Sequence, residues 1–193
     1  TEGRVFFLGE DTTKMNITEH CVRGMARTFQ NIRVFPEMTV LDNLQVGMHK
    51  RIYTDLCIVC LNTKKQKNIE REAREKAMEI LKYLGIENVA NEFAGNLPYG
   101  TQRKVEIGRA LASEPKLLLL DEPSAGMNDQ ETMELMELIK GINKLGPTVI
   151  VIEHNMKFMM NLCERIAVLN FGELLMVGTP KEVQEDQRVI EAY

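Results

Sequence analysis

Leu117-Leu118-Leu119-Leu120-Asp121-Glu122 is the most informative stretch of this chain of 193 residues. A short apolar run without polar alternation is typical of a strand that is covered on both faces of a parallel sheet. Thr148–Ile152 is a second run of this kind, and it too ends beside an acidic residue. A helical pattern over Glu131–Leu145, ended by Gly146, separates the two runs. This order predicts two buried parallel strands of an α/β fold.

The leucine run, Leu117–Leu120, is followed by two adjacent carboxylates, Asp121 and Glu122, at the end of its strand. Ligands bind at this edge in open α/β sheets. One carboxylate there can hold Mg²⁺ on the phosphates of a nucleotide, and the second can orient or deprotonate an attacking water. The alternative is a strand followed by an acidic helix cap, and the pair alone does not decide between the two.

Three further features flank this pair. Leu97–Leu111 has a glycine turn at Gly100 that leads into an amphipathic helix, and such a helix start is a natural anion site. Asp121–Asn128 indicates a turn after the leucine strand. His154 follows the next strand, although a single histidine of this kind is more often structural than functional.

The rest of the chain supplies a helical middle and a C-terminal hairpin. We predict a helical region from about Asn31 to Gln102, inserted into the α/β core. The predicted local elements are a strand at Val5–Leu8 closed by Gly9, a short helix over residues 18–27, an amphipathic helix over Asn68–Leu84 that stops at Gly85, and a hairpin over Arg165–Val177 with its turn at Asn170–Glu173.

The composition excludes several classes of protein. The chain is 44% hydrophobic and 27% charged, with a net charge of −4, which is ordinary for a globular domain and argues against a general nucleic-acid binder. Its longest apolar run, Leu56–Leu61, is far shorter than the roughly 18 residues of a membrane span. No secretory signal fits the start at Thr1, and because this residue is not Met, we expect a processed or partial chain.

The cysteines predict reduced thiols rather than a disulfide framework, because a domain of this size has a core large enough to fold without one. They are Cys21, Cys57, Cys60 and Cys163. The Cys57-x-x-Cys60 spacing also suits zinc or a redox pair, but no second pair stands at finger spacing, so we predict inert thiols. We expect the surrounding Leu56–Leu61 run on the outside of the helical region, near a membrane or a membrane-embedded partner protein; the alternative is an ordinary core segment.

In combination, the carboxylate pair, the turn at Gly100, the turn over Asp121–Asn128 and His154 resemble the ATP-binding domain of ATP-binding-cassette (ABC) transporters. Essentially the whole chain follows the motif order of that family. The matching segments are the Q-loop with Gln30, the signature motif Leu97–Gln102, the Walker B strand Leu117–Glu122, the D-loop Ser124–Asn128 and the switch histidine His154. Arg27–Asn31, Pro98-Tyr99-Gly100 and Ala125–Asn128 are similar to the ATP-binding subunits of branched-chain amino-acid importers.

The resemblance implies a P-loop NTPase (RecA-like) ABC ATPase core with a helical signalling subdomain, lacking its first strand and P-loop. Three parts are expected. Residues 1–30 would be a remnant of the N-terminal part of the core, residues 31–102 the helical subdomain, and residues 103–193 the C-terminal part of the core.

The resemblance also implies a role for each site residue, with ATP and Mg²⁺ as cofactors. Asp121 would hold the water shell of Mg²⁺, Glu122 would activate water, and His154 would contact the γ-phosphate. Gln30 would sense Mg²⁺ and the lytic water. The remaining nucleotide contacts would come from the signature turn and D-loop, at Pro98, Tyr99, Gly100, Thr101, Gln102 and Asn128.

The partners implied are a second ATP-binding subunit, identical or related, and membrane permease subunits, with no nucleic acid. The two ATP-binding subunits would pair head to tail, and the chain would lie in the cytoplasm, peripheral on the inner face of the membrane. The permease would dock near the Gln30 loop and the apolar residues Phe35, Met38 and Leu41. The alternative is that these three residues fill the core of the helical region.

Four departures separate the chain from the family pattern. Pro98 replaces a serine, Thr101 replaces a glutamine, and Asn128 replaces the D-loop aspartate. The largest departure is that the chain contains no Gly-Lys dipeptide, which a P-loop needs to hold phosphates. We therefore expect these 193 residues alone to be deficient in ATP binding.

Three hypotheses follow for function. The first is the energy-coupling ATPase of an amino-acid importer. The second is a binding module that is not catalytic by itself and lends its signature face to a partner, which the missing Gly-Lys favours for these residues alone. The third is a soluble member of the same superfamily, such as a translation or DNA-repair factor. Neighbouring genes for permeases and a solute-binding protein would favour the first.

Overall fold

The computed structural model describes residues 3–48 and 64–192, which form short strands and α-helices. The strands are β1 (Phe6–Phe7), β2 (Glu10–Asp11), β3 (Met25–Arg27), β4 (Leu117–Asp121), β5 (Thr148–Ile152), β6 (Ile166–Asn170) and β7 (Glu173–Gly178). The helices are α1 (Ile17–Arg23), α2 (Val40–Gly47), α3 (Lys64–Tyr83), α4 (Tyr99–Ala112), α5 (Asp129–Lys144), α6 (Met156–Leu162), α7 (Pro180–Glu185) and α8 (Gln187–Ala192).

The central sheet is parallel and has the order β3-β4-β5, with Leu118 of the middle strand opposite Ala26 and Val149. Leu118 and Leu120 of β4 are buried against α5. The two predicted parallel strands are therefore confirmed. Their common direction places the carboxyl ends of all three strands at one edge, which is where the candidate site lies.

The predicted helix over residues 18–27 is wrong at its end. It stops at Arg23, because Gly24 adopts φ 101° and its N–H bonds to carbonyls of the last helical turn. The carbonyl of Gly24 then accepts the N–H of Lys116, which starts the pairing of β3 with β4. The three residues of β3 lack β-branched or aromatic side chains, so the sequence carries no strand signal there.

The predicted burial of β5 holds for one face only. Val149 and Val151 pack toward α5, whereas Ile150 and Ile152 are 47% and 57% exposed. Successive side chains of a strand point to opposite faces, and the described helices that contact this core cover only one face of the sheet. Ile150, Ile152 and Leu119 line a shallow cavity on the other face, together with Arg27 and Asp121.

A second hydrophobic cluster joins the helical middle of the chain. It contains side chains of α2, α3 and α4 such as Leu44, Leu81 and Val105. The predicted amphipathic helix over Asn68–Leu84 is confirmed as α3, and Gly85 follows it at φ 68°. Leu41 belongs to this cluster and is 2% exposed, so it fills the core rather than a docking surface.

The remaining predicted elements are largely confirmed. The helix predicted over Glu131–Leu145 is α5, and the C-terminal hairpin is β6 and β7 joined at Phe171–Gly172. The first strand is shorter than predicted, because Leu8 and Gly9 have positive φ and turn the chain into β2. Within the described residues, no helix combines the length and apolarity needed to cross a membrane.

The three-part division at residues 30 and 102 stays a prediction. The Leu56–Leu61 run with Cys57 and Cys60 lies outside the described residues.

Candidate functional site

Four of the site residues predicted from the sequence meet at the carboxyl edge of the central sheet: Gln30, Asp121, Glu122 and His154. Asp121 ends β4 and Glu122 follows it. Arg27 ends β3, and His154 stands two residues beyond the end of β5. Gln30 comes shortly after β3, in a loop of irregular structure. The parallel order of the strands therefore brings together residues that are far apart in the sequence.

Glu122 is contacted from two sides. Its Oε2 accepts a hydrogen bond of 2.8 Å from Nε2 of Gln30, and its Oε1 lies 3.7 Å from Nδ1 of His154. The backbone of Glu122 has φ 42°, in the left-handed region, and its N–H donates to the carbonyl of Ile152. Such a conformation costs about 1–3 kcal/mol in a residue other than glycine, and it is common at functional sites.

Asp121 forms an ion pair that the sequence analysis missed. Its Oδ2 lies 2.8 Å from a guanidinium nitrogen of Arg27, and its side chain is 23% exposed. Arg27 stands in the Q-loop motif, but its partner lies 94 positions further along the chain, and no local sequence pattern signals the contact. The pair holds the carboxylate in one orientation at the end of β4.

Glu153 is a second site residue that the sequence does not predict, because its position marks only the end of a strand. Its side chain is 1% exposed. One carboxylate oxygen accepts the N–H of Ser124 at 2.9 Å and the hydroxyl of the same residue, and the other accepts the N–H groups of His154 and Asn155 at 3.2 and 3.4 Å. The sequence feature that could have pointed to Glu153 is an acidic residue placed between an apolar strand and a histidine.

The Gln30 loop is held by α4. Arg103 and Glu106 form an ion pair of 2.8 Å, with side chains 0% and 2% exposed. Arg103 donates to the carbonyl oxygens of Phe29 and Gln30, and Glu106 accepts the N–H of Arg33 at 3.1 Å. The (i, i+3) spacing is equally typical of an exposed helix pair, so the sequence did not predict this burial.

The signature turn leads into α4, whose N-terminus has no side-chain cap. Pro98 is the N-cap residue of α4, and the first turn has no acidic side chain, so its backbone N–H groups suit an anion. Thr101 is half-buried. The amide of Gln102 donates to the carbonyl of Leu97 at 2.8 Å, which stabilises its own turn. At Gly100, a Cβ would lie 3.2 Å from Oε1 of Glu131.

The D-loop packs beside the signature turn of the same chain. A Cβ at Gly126 would lie 3.4 Å from the ring of Tyr99, so the two turns are in contact. Asn128 caps α5: its Oδ1 accepts the N–H of Glu131, and Oε2 of Glu131 accepts the N–H of Asn128, each at 3.0 Å. The structure therefore gives Asn128 a capping role that the sequence analysis did not assign.

The oxygen donors at the sheet edge fit Mg²⁺, which prefers a few carboxylates together with water and phosphate oxygens. Oδ1 of Asp121 and Oε1 of Gln30 accept no hydrogen bond from any described residue, so both oxygens are available as metal ligands. The described part of the chain has no cluster of three metal-binding side chains. The donor set therefore suits an ion that arrives with a nucleotide rather than one held by protein alone.

The family model described as ABC transporter matches residues 1–125. The chain belongs to the ABC transporter family. A second model, described as Branched-chain amino acid ATP-binding cassette transporter, matches residues 173–193 of this ABC transporter chain. The predicted resemblance is confirmed, and the matched regions together include the Q-loop, the signature turn and the Walker B strand.

Individual relatives agree with this membership. The ABC transporter chain is 43% identical over 171 residues to the Escherichia coli high-affinity branched-chain amino acid transport ATP-binding protein LivG, covering 88% of this chain and 67% of LivG. It is similar to a nucleotide-free ATP-binding cassette from an ABC transporter, with a TM-score of 0.82, 32% identity and coverage of 100% and 77%. A cassette solved as a dimer after hydrolysis, with ADP and Pi bound, has a TM-score of 0.75, 26% identity and coverage of 93% and 74%. The P-loop NTPase fold of this ABC transporter chain is confirmed.

Proposed function

We propose that the chain is the ATP-binding and ATP-hydrolysing subunit of an importer for branched-chain amino acids. The observation that carries the proposal is the contact of Glu122 with Gln30 and His154 at the sheet edge. The C-terminal family match and the similarity to LivG support the substrate class.

Glu122 is the general base of this proposal. Its carboxylate is 27% exposed and can accept a proton from a water at the sheet edge. The side-chain amide of Gln30 donates to one carboxylate oxygen and leaves the side-chain oxygen Oε1 for the water or the ion. The two side chains thereby fix the direction from which the water approaches.

Asp121 holds the water shell of the ion, and Arg27 keeps its carboxylate oriented. When bound with ATP, Mg²⁺ neutralises charge on the phosphate oxygens. His154 is 75% exposed, so its imidazole is free to reach the terminal phosphate, while Glu153 fixes the backbone beneath it.

A second ATP-binding subunit completes the phosphate contacts. The uncapped first turn of α4 at Pro98, Tyr99 and Gly100 suits the terminal phosphate of a nucleotide held by that subunit, with Thr101, Gln102 and Asn128 placed around it. The dimeric cassette among the similar structures supports this pairing. Permease subunits contact the helical part of residues 31–102, which places the chain on the cytoplasmic face of a membrane.

The binding-module hypothesis has one observation in its favour. The 193 residues contain no Gly-Lys dipeptide, and the residues above reach only the ion, the water and the terminal phosphate. The α and β phosphates have no cradle among them. In this alternative, the chain contributes its signature turn to a partner and hydrolyses nothing itself.

The test is the ATPase activity of the full-length protein, reconstituted with its permease and solute-binding protein in vesicles. Leucine should stimulate Mg²⁺-dependent hydrolysis, and an unrelated solute such as maltose should not. Hydrolysis without any response to leucine, isoleucine or valine would contradict the substrate class, and no hydrolysis would favour the binding module.

A further inference from the structure

Apart from the bond between the two side chains and one from Arg103 to the Tyr99 hydroxyl, the hydrogen bonds of the Arg103–Glu106 pair go to one loop. Arg103 donates to the carbonyl oxygens of Phe29 at 2.7 Å and Gln30 at 2.8 Å. Oε1 of Glu106 accepts N–H groups from Phe29 at 3.4 Å and Arg33 at 3.1 Å. Donors and acceptors of the loop backbone are thus satisfied by two side chains of α4.

The same loop reaches the candidate site at its other side. The backbone carbonyl of Gln30 accepts a hydrogen bond from Arg103, and its side-chain amide donates one to Glu122, so one residue connects α4 to the end of β4. Arg109, further along α4, also donates to the carbonyl of Arg33. The loop is therefore held in place by α4, whereas Glu122 is held in place by the sheet.

We propose that Arg103 and Glu106 are positioning residues that fasten residues 29–33 to α4, so that a displacement of the signature turn changes the contact between Gln30 and Glu122. This inference rests on the proposed function for the roles of Gln30 and Glu122. It adds a route by which binding at the signature turn reaches the general base.

The chemistry of the pair favours positioning over simple stability. Replacing a buried ion pair by apolar residues of similar volume is often neutral or stabilising. Nε of Arg103 is buried without a hydrogen-bond partner among the described residues, a cost that an apolar pair would avoid. What an apolar pair could not do is bind two carbonyl and two N–H groups of the Gln30 loop.

Hydrogen exchange of the full-length protein tests the fastening directly. Glu106→Leu should accelerate exchange at the amides of Phe29 and Arg33 about 10-fold or more, as expected when hydrogen bonds to a charged group are lost. The amide of Glu122, which donates to Ile152, should keep its rate. Uniform acceleration throughout the chain, or none at the loop, would overturn the proposal.

Two further variants keep this measurement decisive. Glu106→Gln retains an acceptor oxygen and should accelerate hydrogen exchange of the same two amides by a smaller factor than Glu106→Leu. If Glu106→Leu does not fold, the exchange rates of Glu106→Gln test the fastening instead. Lys104→Met is the matched control: Lys104 lies between the two residues on α4, pairs with Glu134 at 3.6 Å, and should leave the loop unchanged.

A kinetic measurement separates positioning from substrate binding. Arg103→Lys keeps the charge but cannot bind two carbonyls with a planar fork. In the full-length protein kcat should fall about 10-fold while KM for ATP changes less than about twofold, as for a contact that acts in the transition state. Unchanged kcat would overturn the proposal. If the wild-type protein hydrolyses no ATP, the proposed function fails and hydrogen exchange alone decides the fastening.

Discussion

Glu153 and Ser124 are joined through both the N–H and the hydroxyl of Ser124, although they are 29 positions apart in the sequence. The same carboxylate accepts the N–H of His154. The turn after β4 and the turn after β5 are therefore held together by one buried side chain. Because Ser124 begins the segment Ser124–Asn128, this side chain links that segment to His154.

The link extends to the rest of the site. Tyr99 contacts Gly126 of the D-loop, and its hydroxyl accepts a hydrogen bond of 3.3 Å from Arg103. Arg103 binds the Gln30 loop, and Gln30 binds Glu122. The signature turn, the D-loop and the end of β4 are thus connected by short polar and packing contacts within one chain.

We predict that Glu122→Gln lowers ATP turnover of the full-length protein about 10²-fold or more, because the variant loses a positioned general base. ATP binding should persist, since glutamine keeps the shape of the side chain. Single-turnover kinetics and equilibrium binding measure the two effects separately. Near-normal turnover would remove Glu122 from the role of base.

We predict that Glu153→Gln destabilises the protein by about 1–3 kcal/mol, because the amide NH₂ must then face N–H donors in place of an acceptor oxygen. Denaturant unfolding measures this change. Glu164→Gln, an exposed carboxylate on the same part of the chain, is the control and should stay within about 0.5 kcal/mol of wild type. Equal stability of Glu153→Gln and wild type would contradict the buried hydrogen bonds.

We predict that the chain of 193 residues binds ATP very weakly by itself. It has no Gly-Lys dipeptide, so no backbone cradle with a lysine holds the α and β phosphates. Titration with a fluorescent ATP analogue, with Mg²⁺ present, measures the affinity. Micromolar affinity in this chain would show that the residues at the sheet edge bind the nucleotide without such a cradle.

We predict that Glu37→Lys weakens association with the permease. Glu37 is exposed, and Phe35 beside it is 45% exposed, so the Gln30 loop continues into a surface with apolar area. Co-purification of the detergent-solubilised complex measures the effect, with Glu164→Lys as the charge-matched control. Equal loss in both variants, or in neither, would argue against docking at this surface.

We predict that Cys163 reacts slowly with alkylating reagents. Burial raises the pKa of the Cys163 thiol, and this lowers the fraction of reactive thiolate at neutral pH. In a Cys57→Ser, Cys60→Ser background, exposed Cys21 should be modified first, and mass spectrometry of timed samples gives both rates. The Cys163 rate should rise as the pH is raised; a rate equal to that of Cys21 at neutral pH would contradict its burial.

Most of the fold could be predicted because its signals are local. The leucine run of β4, the apolar run of β5 and the helical period of α3 each lie within a few turns or one strand, where burial patterns follow directly from side-chain spacing. β3 could not be predicted, because its residues form a strand only through pairing with β4.

The sequence by itself determined the family, the parallel strands and the meeting of Asp121, Glu122 and His154 at one sheet edge, because parallel strands end at a common edge whatever their exact packing. Only the tertiary structure decided which side chains touch there. The Gln30–Glu122 contact spans 92 residues and the Arg27–Asp121 pair spans 94. Such contacts depend on how α4 and the three strands pack, and no local spacing in the sequence encodes this packing.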